Sequence, residues 1–263
     1  RQGSGPISIR PAILLAASVI LVSADMPDTI PVPEPRPKPV TVPEQGKDAG
    51  DESTAPEPKE AEPAEKTEQY VPPPIVTEDP ARLQACLAKL KTLGVTYQEI
   101  PRIDDDNGCG IDRPVAVTSL GNGVALKPEG EMRCEAALAL ARWTDNIVVP
   151  MLKTAKPNET LAGLDQASTY VCRKRNNAET GKISEHAHGN AVDIAGFRFK
   201  SGDTFAIKPR MQDSTLDGAF QRAITAAACL YFTTVLDPGS DKAHETHLHL
   251  DVITRKAGFR YCW

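Results

Sequence analysis

Histidine is scarce in this chain, and its distribution is uneven. Only five histidines occur among 263 residues, and all of them lie in two segments, S-E-H-A-H-G-N-A-V-D-I-A-G-F from Ser184 to Phe197 and H-E-T-H-L-H-L-D from His244 to Asp251. An isolated histidine is best interpreted as a surface or capping residue. Five histidines in two segments instead favour a metal site.

The C-terminal two thirds of the chain lack an excess of charge. The net charge of −5 comes from residues 25–80, which hold 14 acidic and five basic residues, whereas residues 81–263 hold 21 acidic and 23 basic residues. A nearly neutral domain gives no support to binding a polyanion through charge alone. We therefore expect no nucleic-acid partner.

The N-terminal apolar run is too short to cross a bilayer comfortably. It extends over 11 residues from Ala12 to Val22, whereas a membrane-spanning helix needs about 20. Arg10 precedes it and the small residues V-S-A follow it, which is the layout of a secretory signal. We expect residues 1–24 to be a signal peptide cleaved after Ala24; a retained short anchor, which would tether the protein to the membrane, is the alternative.

Residues 25–80 have almost no aromatic residues and are rich in proline. Fourteen of the 23 prolines lie between Met26 and Pro80, and such an acidic, proline-rich stretch cannot build a core. We expect a disordered linker, which could also act as a semi-rigid spacer, and a folded domain at residues 81–263.

No C-x-x-C pair occurs, which weakens zinc-ribbon and thioredoxin-like interpretations. All six cysteines lie in the predicted domain, at Cys86, Cys109, Cys134, Cys172, Cys229 and Cys262. In an exported chain they predict up to three disulfides, with fifteen connectivities left open. The expected compartment is oxidising, and the bacterial periplasm fits this expectation.

The spacing of apolar residues predicts three helices, and short β-branched or alternating runs predict strands. The helices are expected from Pro80 to a C-terminal cap at Gly94, from about Glu129 to Lys153 with an end or bend at Pro150, and from Leu216 to Val235. The strands are expected at Val115–Ser119, Ser168–Arg173, Ala191–Phe199, Thr204–Ile207 and Thr246–Ile253. This order predicts an α+β fold, with helices on one face of an antiparallel sheet and a metal site on the other.

The spacing of residues within the two histidine segments predicts where their side chains point. In H-L-H-L-D, strict alternation places His247, His249 and Asp251 on one open face of a strand and the leucines on the other. His186 and Asp193 would lie about 10 Å apart on a helix, but G-N at 189–190 can bend the chain and bring them together. Two imidazoles and a carboxylate, with a fourth position free, are typical of catalytic zinc; a structural zinc is the alternative.

The segment S-E-H-A-H-G-N-A-V-D resembles the S-x-H-x-x-G-x-A-x-D signature of zinc peptidases related to D-alanyl-D-alanine carboxypeptidases, lysostaphin and the hedgehog domain, and H-L-H resembles their H-x-H signature. The block from Cys86 to Cys262 resembles more closely the bacterial extensin-like C-terminal domain family. The residues that carry this second resemblance are G-C-G-I, Y-V-C-R, A-C-L-Y-F and both histidine segments.

The resemblance implies a zinc ion held by His186, Asp193 and His249. It assigns His247 to an acid/base or oxyanion-stabilising role. It also places Arg173 opposite the substrate carbonyl or carboxylate, although Cys172 interrupts the G-Y-R motif that is usual at this position.

Four neighbouring residues receive lesser roles. His188 is expected beside the site or at the surface, and His244 at the cleft as a cap or lining residue. Glu185 should point away from the metal if its segment is extended, and Ser184 should brace a turn or a ligand rather than act as a nucleophile.

The implied function is an exported zinc metallopeptidase that cleaves peptide bonds in the stem peptides or crosslinks of peptidoglycan, acting as a D,D-endopeptidase or a carboxypeptidase. A non-catalytic wall-binding module with the same fold is the alternative, and the presence of all three implied ligands favours the enzyme. We expect the protein to be a monomer.

Overall fold

The structure, a computed structural model, describes residues 74–262. The predicted signal segment and most of the predicted linker lie outside these residues. In the described part of the chain, no helix is long and apolar enough to cross a membrane. The helices are α1 (Pro80–Thr92), α2 (Cys134–Trp143), α3 (Val149–Ala155) and α4 (Leu216–Ala228).

The strands form one large mixed sheet and a small hairpin. Their bounds are β1 (Thr96–Glu99), β2 (Ile103–Asp104), β3 (Gly110–Ile111), β4 (Val115–Ser119), β5 (Ala125–Met132), β6 (Leu161–Ser168), β7 (Ala191–Phe199), β8 (Thr204–Ala206), β9 (Thr234–Leu236), β10 (Leu248–Asp251) and β11 (Tyr261–Cys262). The large sheet has the order β1-β4-β5-β6-β7-β10-β9-β11, with β8 also paired to β7, and β2 pairs with β3.

The expectation of a purely antiparallel sheet is wrong at two places, where β5 pairs with β6 and β9 pairs with β11 in parallel. The connection from β5 to β6 runs through α2 and α3, and such a helical crossover is what joins parallel strands. The broader α+β expectation is confirmed. Strands β6, β7, β10 and β9, which surround the site described below, pair antiparallel with one another.

Helix α1 agrees with its prediction. Gly94 adopts a left-handed φ of +70°, its N–H bonds to the carbonyl of Lys91, and the Val95 N–H bonds to the carbonyl of Leu90. These two bonds satisfy carbonyls that the helix end would otherwise leave free.

The second predicted helix begins too early, because residues 129–132 belong to β5. Helix α2 starts at Cys134, and a π-helical turn at Thr144–Val148 connects it to α3. In that turn the Val149 N–H bonds to the Thr144 carbonyl. The helix does not end at Pro150 but continues to Ala155, and Pro150 lies in the first turn of α3, directly after the π-helical turn.

Helix α4 ends earlier than predicted, at Ala228, and its buried face does not consist of apolar residues alone. Leu216 is exposed, whereas Gln221 is buried. The Gln221 amide donates to the Lys208 carbonyl at 2.7 Å and accepts from the Lys208 N–H at 3.4 Å. A polar side chain with both partners can be buried without a large penalty, so apolar spacing alone does not identify this face.

The strands predicted at 115–119 and 191–199 have the predicted bounds, and those at 204–207 and 246–253 contain β8 and β10. The strand predicted at Ser168–Arg173 is wrong, because β6 ends at Ser168. Beyond Ser168 the chain leaves the sheet, and the Tyr170 N–H bonds to the Glu131 carbonyl.

The main core lies between the helices and one face of the sheet. It joins side chains of α1, α2 and α4 to those of Val192, Ile194, Leu248 and Leu250. Because side chains alternate along a strand, Asp193 and His249 must point to the other face. The helices therefore cover one face and the histidines lie on the other, as the sequence predicts. The expectation that this face is open is wrong, because His249 and Asp251 are buried there.

Three disulfides join the elements, and the structure shows no free cysteine among the described residues. Cys86–Cys134 ties α1 to α2, Cys109–Cys172 ties the β2–β3 hairpin to the segment before Arg173, and Cys229–Cys262 ties α4 to β11. The prediction of three disulfides is confirmed.

Residues just before α1 also pack on the domain. Glu78 is buried, its carboxylate pairs with Arg133 at 2.8 Å, and its N–H bonds to Asp112. The packed part of the chain thus begins a few residues before position 81, inside the range predicted as linker.

Candidate metal centre

Asp193 and His249 lie opposite each other on two neighbouring strands. The antiparallel register of β7 and β10 pairs these two residues, and His249 Nδ1 lies 2.9 Å from Asp193 Oδ1. The leucines that flank His249 are fully buried in the core. Alternation along β10 therefore fixes the imidazole on the carboxylate side of the sheet.

His186 reaches the same point from a turn rather than from a strand. The Ser184 hydroxyl caps the 3-10 turn Glu185–His188 by accepting from the His186 N–H, and Gly189 follows with φ +64°. This bend folds the turn back over the start of β7, as the sequence predicts. His186 Nε2 lies 3.1 Å from Asp193 Oδ2 and 3.2 Å from His249 Nδ1.

These three side chains form a buried cluster that could hold a metal ion. One ligand atom from each lies within 4.8 Å of the others, and the exposed fractions of His186, Asp193 and His249 are 0%, 3% and 8%. Two imidazoles and one carboxylate are a common donor set for divalent transition metals. Without an ion, the same atoms bond to one another.

The nitrogens that face away from the cluster also have partners. His186 Nδ1 lies 2.7 Å from the Thr169 carbonyl oxygen, and His249 Nε2 lies 3.3 Å from Asp251 Oδ2. Each acceptor favours a proton on the outer nitrogen, which leaves a lone pair on the inner nitrogen. Ligating histidines in metal sites have this arrangement, so the residues present fit a metal.

Asp251 is itself held in place. Its Oδ1 accepts from the Thr234 hydroxyl at 2.7 Å and from the Ile253 N–H at 3.1 Å. Although burial alone would raise the pKa of this carboxyl, the bond to His249 lowers the pKa below its usual value. Asp251 is therefore a charged, immobile partner for His249.

Two carboxylates control the charge of the metal-free cluster. Burial opposes the charge on Asp193, but its bonds to His186 and His249 outweigh burial and lower its pKa. Burial likewise lowers the pKa of His249, yet Asp193 and Asp251 raise it to about 9. Without an ion, His249 is therefore doubly protonated and positively charged at neutral pH.

His247 lies beside the cluster. Its Nε2 is 3.6 Å from Asp193 Oδ1, and its side chain is half-buried. Burial lowers the pKa of His247, so this imidazole is neutral at pH 7 and can accept a proton. It does not belong to the three-residue group whose ligand atoms converge.

His244 lines the cavity described below, as expected from the sequence. It is buried, and its Nδ1 lies 2.7 Å from Asp241 Oδ1. Its ring centroid is 5.3 Å from that of His247 and 5.6 Å from that of His249. Asp241 thus anchors His244 against both histidines. The sequence signal for this contact is the spacing of three residues between Asp241 and His244, which places the cap of a 3-10 turn next to the last residue of that turn.

Arg173 is close to the cluster and is held by its backbone. Its Nη2 lies 3.9 Å from Asp193 Oδ2. Its carbonyl accepts from the Ser184 N–H, and the preceding Cys172 is joined to Cys109. The structure thus brings together all five residues predicted at the site.

Glu185 and His188 do not join the cluster. The predicted reason for Glu185, an extended segment, is wrong, since the residue lies in a 3-10 turn. Its carboxylate bonds instead to Asn190 at 2.9 Å and Arg175 at 3.3 Å. His188 is half-buried and burial lowers its pKa, but it contacts no residue of the cluster through a hydrogen bond.

A cavity of about 170 Å³ opens beside the cluster. Its walls include His186, His249 and His244 from the site and three arginines, Arg173, Arg175 and Arg255. A ligand that enters this cavity therefore meets the cluster directly.

The family model described as the extensin-like protein C-terminus matches residues 84–263. The chain belongs to this extensin-like family. No curated protein and no solved structure matches the chain. The match to the extensin-like family includes the three cluster residues, both other residues predicted at the site, and all six cysteines.

Proposed function

We propose that this extensin-like domain is an exported zinc-dependent peptidase that cleaves peptide bonds in bacterial peptidoglycan. The observation that carries the proposal is the buried convergence of His186, Asp193 and His249, with the outer nitrogen of each histidine bonded to an acceptor. A purely structural histidine cluster has no need of a cavity at its side.

The three cluster residues would hold the ion, and their donor set of two nitrogens and one oxygen is the one that catalytic zinc uses. When bound, zinc supplies a Lewis acid that polarises a peptide carbonyl and acidifies a water molecule. Three disulfides already stabilise the domain, which makes a purely structural role for zinc less necessary.

His247 moves the proton in this proposal. Its imidazole is neutral at pH 7 because burial lowers its pKa, so Nε2 can take a proton from the attacking water and deliver it to the leaving amine. The ring centroid of His244, which Asp241 orients, lies 5.3 Å from that of His247.

Arg173 binds the substrate oxygen. It presents a positive charge 3.9 Å from Asp193 Oδ2, and such a charge stabilises the negative charge that develops on a carbonyl oxygen during hydrolysis. The backbone bond from the Ser184 N–H to the Arg173 carbonyl holds the main chain of Arg173 beside the His186 turn.

The substrate class and the compartment are supported from the sequence. The signatures at Ser184–Asp193 and His247–His249 resemble those of zinc peptidases that act on cell walls. The three disulfides fit an oxidising compartment, as does the expected export signal at residues 1–24. An enzyme anchored or released in the periplasm would meet peptidoglycan there.

The test is incubation of the zinc-loaded chain with purified wall fragments, followed by mass spectrometry of the soluble products. New peptide termini that are absent with His249→Ala and present with His188→Ala would support the peptidase. Binding to the fragments without new termini would instead establish the wall-binding module.

A further inference from the structure

Glu78 is a buried carboxylate in a segment that was predicted as linker. Its exposed fraction is 7%, although the residues on both sides of it, Thr77 and Asp79, are exposed. A buried carboxylate is costly unless it is paired, and Glu78 is paired with Arg133 Nε at 2.8 Å. The end of the predicted linker therefore inserts one charged side chain into the domain.

The segment that carries Glu78 is held at two further points. The Glu78 N–H bonds to Asp112 Oδ2 at 3.0 Å, and the other carboxylate oxygen of Asp112 accepts from Arg102 at 2.8 Å. A Cβ at Gly110 would lie 2.5 Å from Ile75 Cδ1, so Ile75 packs closely on the β2–β3 hairpin. These contacts fix the backbone of Glu78 relative to that hairpin.

Arg133 connects Glu78 to the 3-10 turn that carries His186. Its Nη1 donates to Asn190 Oδ1 at 3.0 Å, and its backbone N–H donates to the Gly189 carbonyl at 2.9 Å. These two acceptor residues lie between the turn and β7, the strand that carries the carboxylate of the cluster. Arg133 therefore holds the bend that brings the imidazole to that carboxylate.

Arg133 has a second carboxylate nearby, but that carboxylate is exposed. Glu135 Oε2 lies 3.3 Å from Arg133 Nη2, and the side chain of Glu135 is 39% exposed, whereas that of Glu78 is 2% exposed. An exposed ion pair contributes little, and a hydrogen bond in a buried environment is electrostatically stronger. The position of the guanidinium therefore depends mainly on Glu78.

We infer that Glu78 positions the cluster residue His186, and that it does so through Arg133 and the bend at 189–190. The carboxylate of Glu78 fixes the guanidinium, Arg133 holds the bend, and the bend sets the place of the imidazole. The inference holds for any reaction at the site, because it concerns only how the cluster is held. It also extends the metal site to a residue that precedes the range 84–263 matched by the family.

The first test measures the zinc affinity of the whole chain by competition with a chromogenic chelator, at a temperature at which circular dichroism shows each variant folded. Glu78→Ala should weaken zinc binding about tenfold, the lower end of the range for residues that support a metal ligand. Glu78→Gln keeps an oxygen that can accept from Arg133, so it should restore most of the affinity. Glu135→Ala, at the exposed carboxylate near the same arginine, is the matched control and should change the affinity by no more than about twofold.

A double variant tests the route from Glu78 to the turn. Asn190→Ala removes the side chain that Arg133 Nη1 contacts, so adding Glu78→Ala to it should cause little further loss of zinc affinity. Residues that act through one another give such non-additive effects. Two full and independent losses would show that Glu78 does not act through Asn190 and would overturn the inference.

Hydrogen exchange of the metal-free chain separates positioning from general stability. The amides of Gly189 and Asn190 bond to carbonyls within the turn, and their exchange reports how readily these bonds open. Glu78→Ala should speed the exchange of these two amides more than that of amides in β10. Equal acceleration of all amides, or an unchanged zinc affinity, would assign Glu78 to stability alone. An unaltered chain that binds no zinc would overturn the metal site and this inference with it.

Discussion

Asp193 Oδ1 and His249 Nδ1 lie 2.9 Å apart although 56 residues separate them along the chain. The pairing of β7 with β10 sets this distance, so the same backbone hydrogen bonds that build the sheet also build the candidate site. Changes at the site should therefore be separable into those that remove a ligand and those that alter its support.

The two histidines of H-L-H should differ in their effect on metal content. His249→Ala removes an atom of the converging set, so we expect loss of bound zinc and of activity. His247→Ala should retain most of the zinc and lose about 10²- to 10⁴-fold in turnover, the range for a general acid/base. Elemental analysis of both purified variants decides this; a metal-free His247→Ala and a metal-loaded His249→Ala would reverse the assignment.

Zinc binding should release a proton. Burial lowers the pKa of metal-free His249, but Asp193 and Asp251 raise it to about 9, and the ion needs the neutral ring. The apparent affinity should therefore rise about tenfold per pH unit up to about pH 9. Calorimetry at pH 7.5 in buffers with different ionisation enthalpies measures the released proton, and a heat that does not depend on the buffer would contradict this prediction.

The same proton should stabilise the metal-free fold. The pKa of folded His249 lies above its ordinary value of 6.5, so this contribution is complete below pH 6.5 and disappears as the pH rises through about 9. Thermal unfolding with a chelator present should show it. Asp251→Asn removes one of the causes of the raised pKa, so its loss of stability should occur at a lower pH.

Asp251 should matter for metal affinity without being a ligand. Asp251→Ala removes the acceptor of His249 Nε2, and loss of such a partner typically costs about 10- to 100-fold in metal affinity. Competition with a chromogenic chelator measures this loss. Glu185→Gln, a change at another buried carboxylate that bonds to Arg175 and Asn190, should leave metal affinity within a few fold.

Gly189 should tolerate no side chain. A Cβ there would lie 2.3 Å from Ile111 Cδ1 at φ +64°, so Gly189→Ala should cost about 2–4 kcal/mol from crowding and backbone strain together. Gly123, with φ +75° and nothing within 4 Å, isolates the backbone contribution, and Gly123→Ala should cost only about 1 kcal/mol. Urea denaturation compares the two; equal costs would show that Ile111 moves aside.

The Cys109–Cys172 disulfide should support activity as well as stability. Removing a native disulfide typically costs about 2–5 kcal/mol, and this one also holds the residue before Arg173. Replacing both cysteines with alanine should therefore lower activity more than the matched replacement of Cys229 and Cys262, under conditions in which both variants remain folded by circular dichroism. Similar activities would assign the bridge to stability alone.

The parts of the site that follow from local patterns were predictable from the sequence. Alternation identified the faces of β10, and the glycine at 189 indicated the bend that brings His186 to Asp193. Strands β5 and β6 were not predictable in the same way. Each has few β-branched residues, and β5 also contains Pro128 and Gly130. The pairing of these strands depends on neighbours that are distant in the chain.

The support around the ligands was also beyond local patterns. Asp251 was placed on the correct face, but its contact with Thr234 depends on the pairing of β10 with β9. The contact of Asp241 with His244 depends on how loops fold over the sheet, and so does the cavity beside the cluster. Such contacts leave no periodic signal in the sequence.

Strand β7 has paired neighbours on both sides along the segment that carries Asp193, with β6 on one side and β10 on the other. The ligands on β7 and β10 therefore cannot separate by fraying of an edge. In hydrogen-exchange experiments, the amides at 192–194 and 248–250 should exchange only when the whole domain opens. An ion bound between these strands would consequently slow every amide that exchanges through this global opening, including such amides in helices that it never touches.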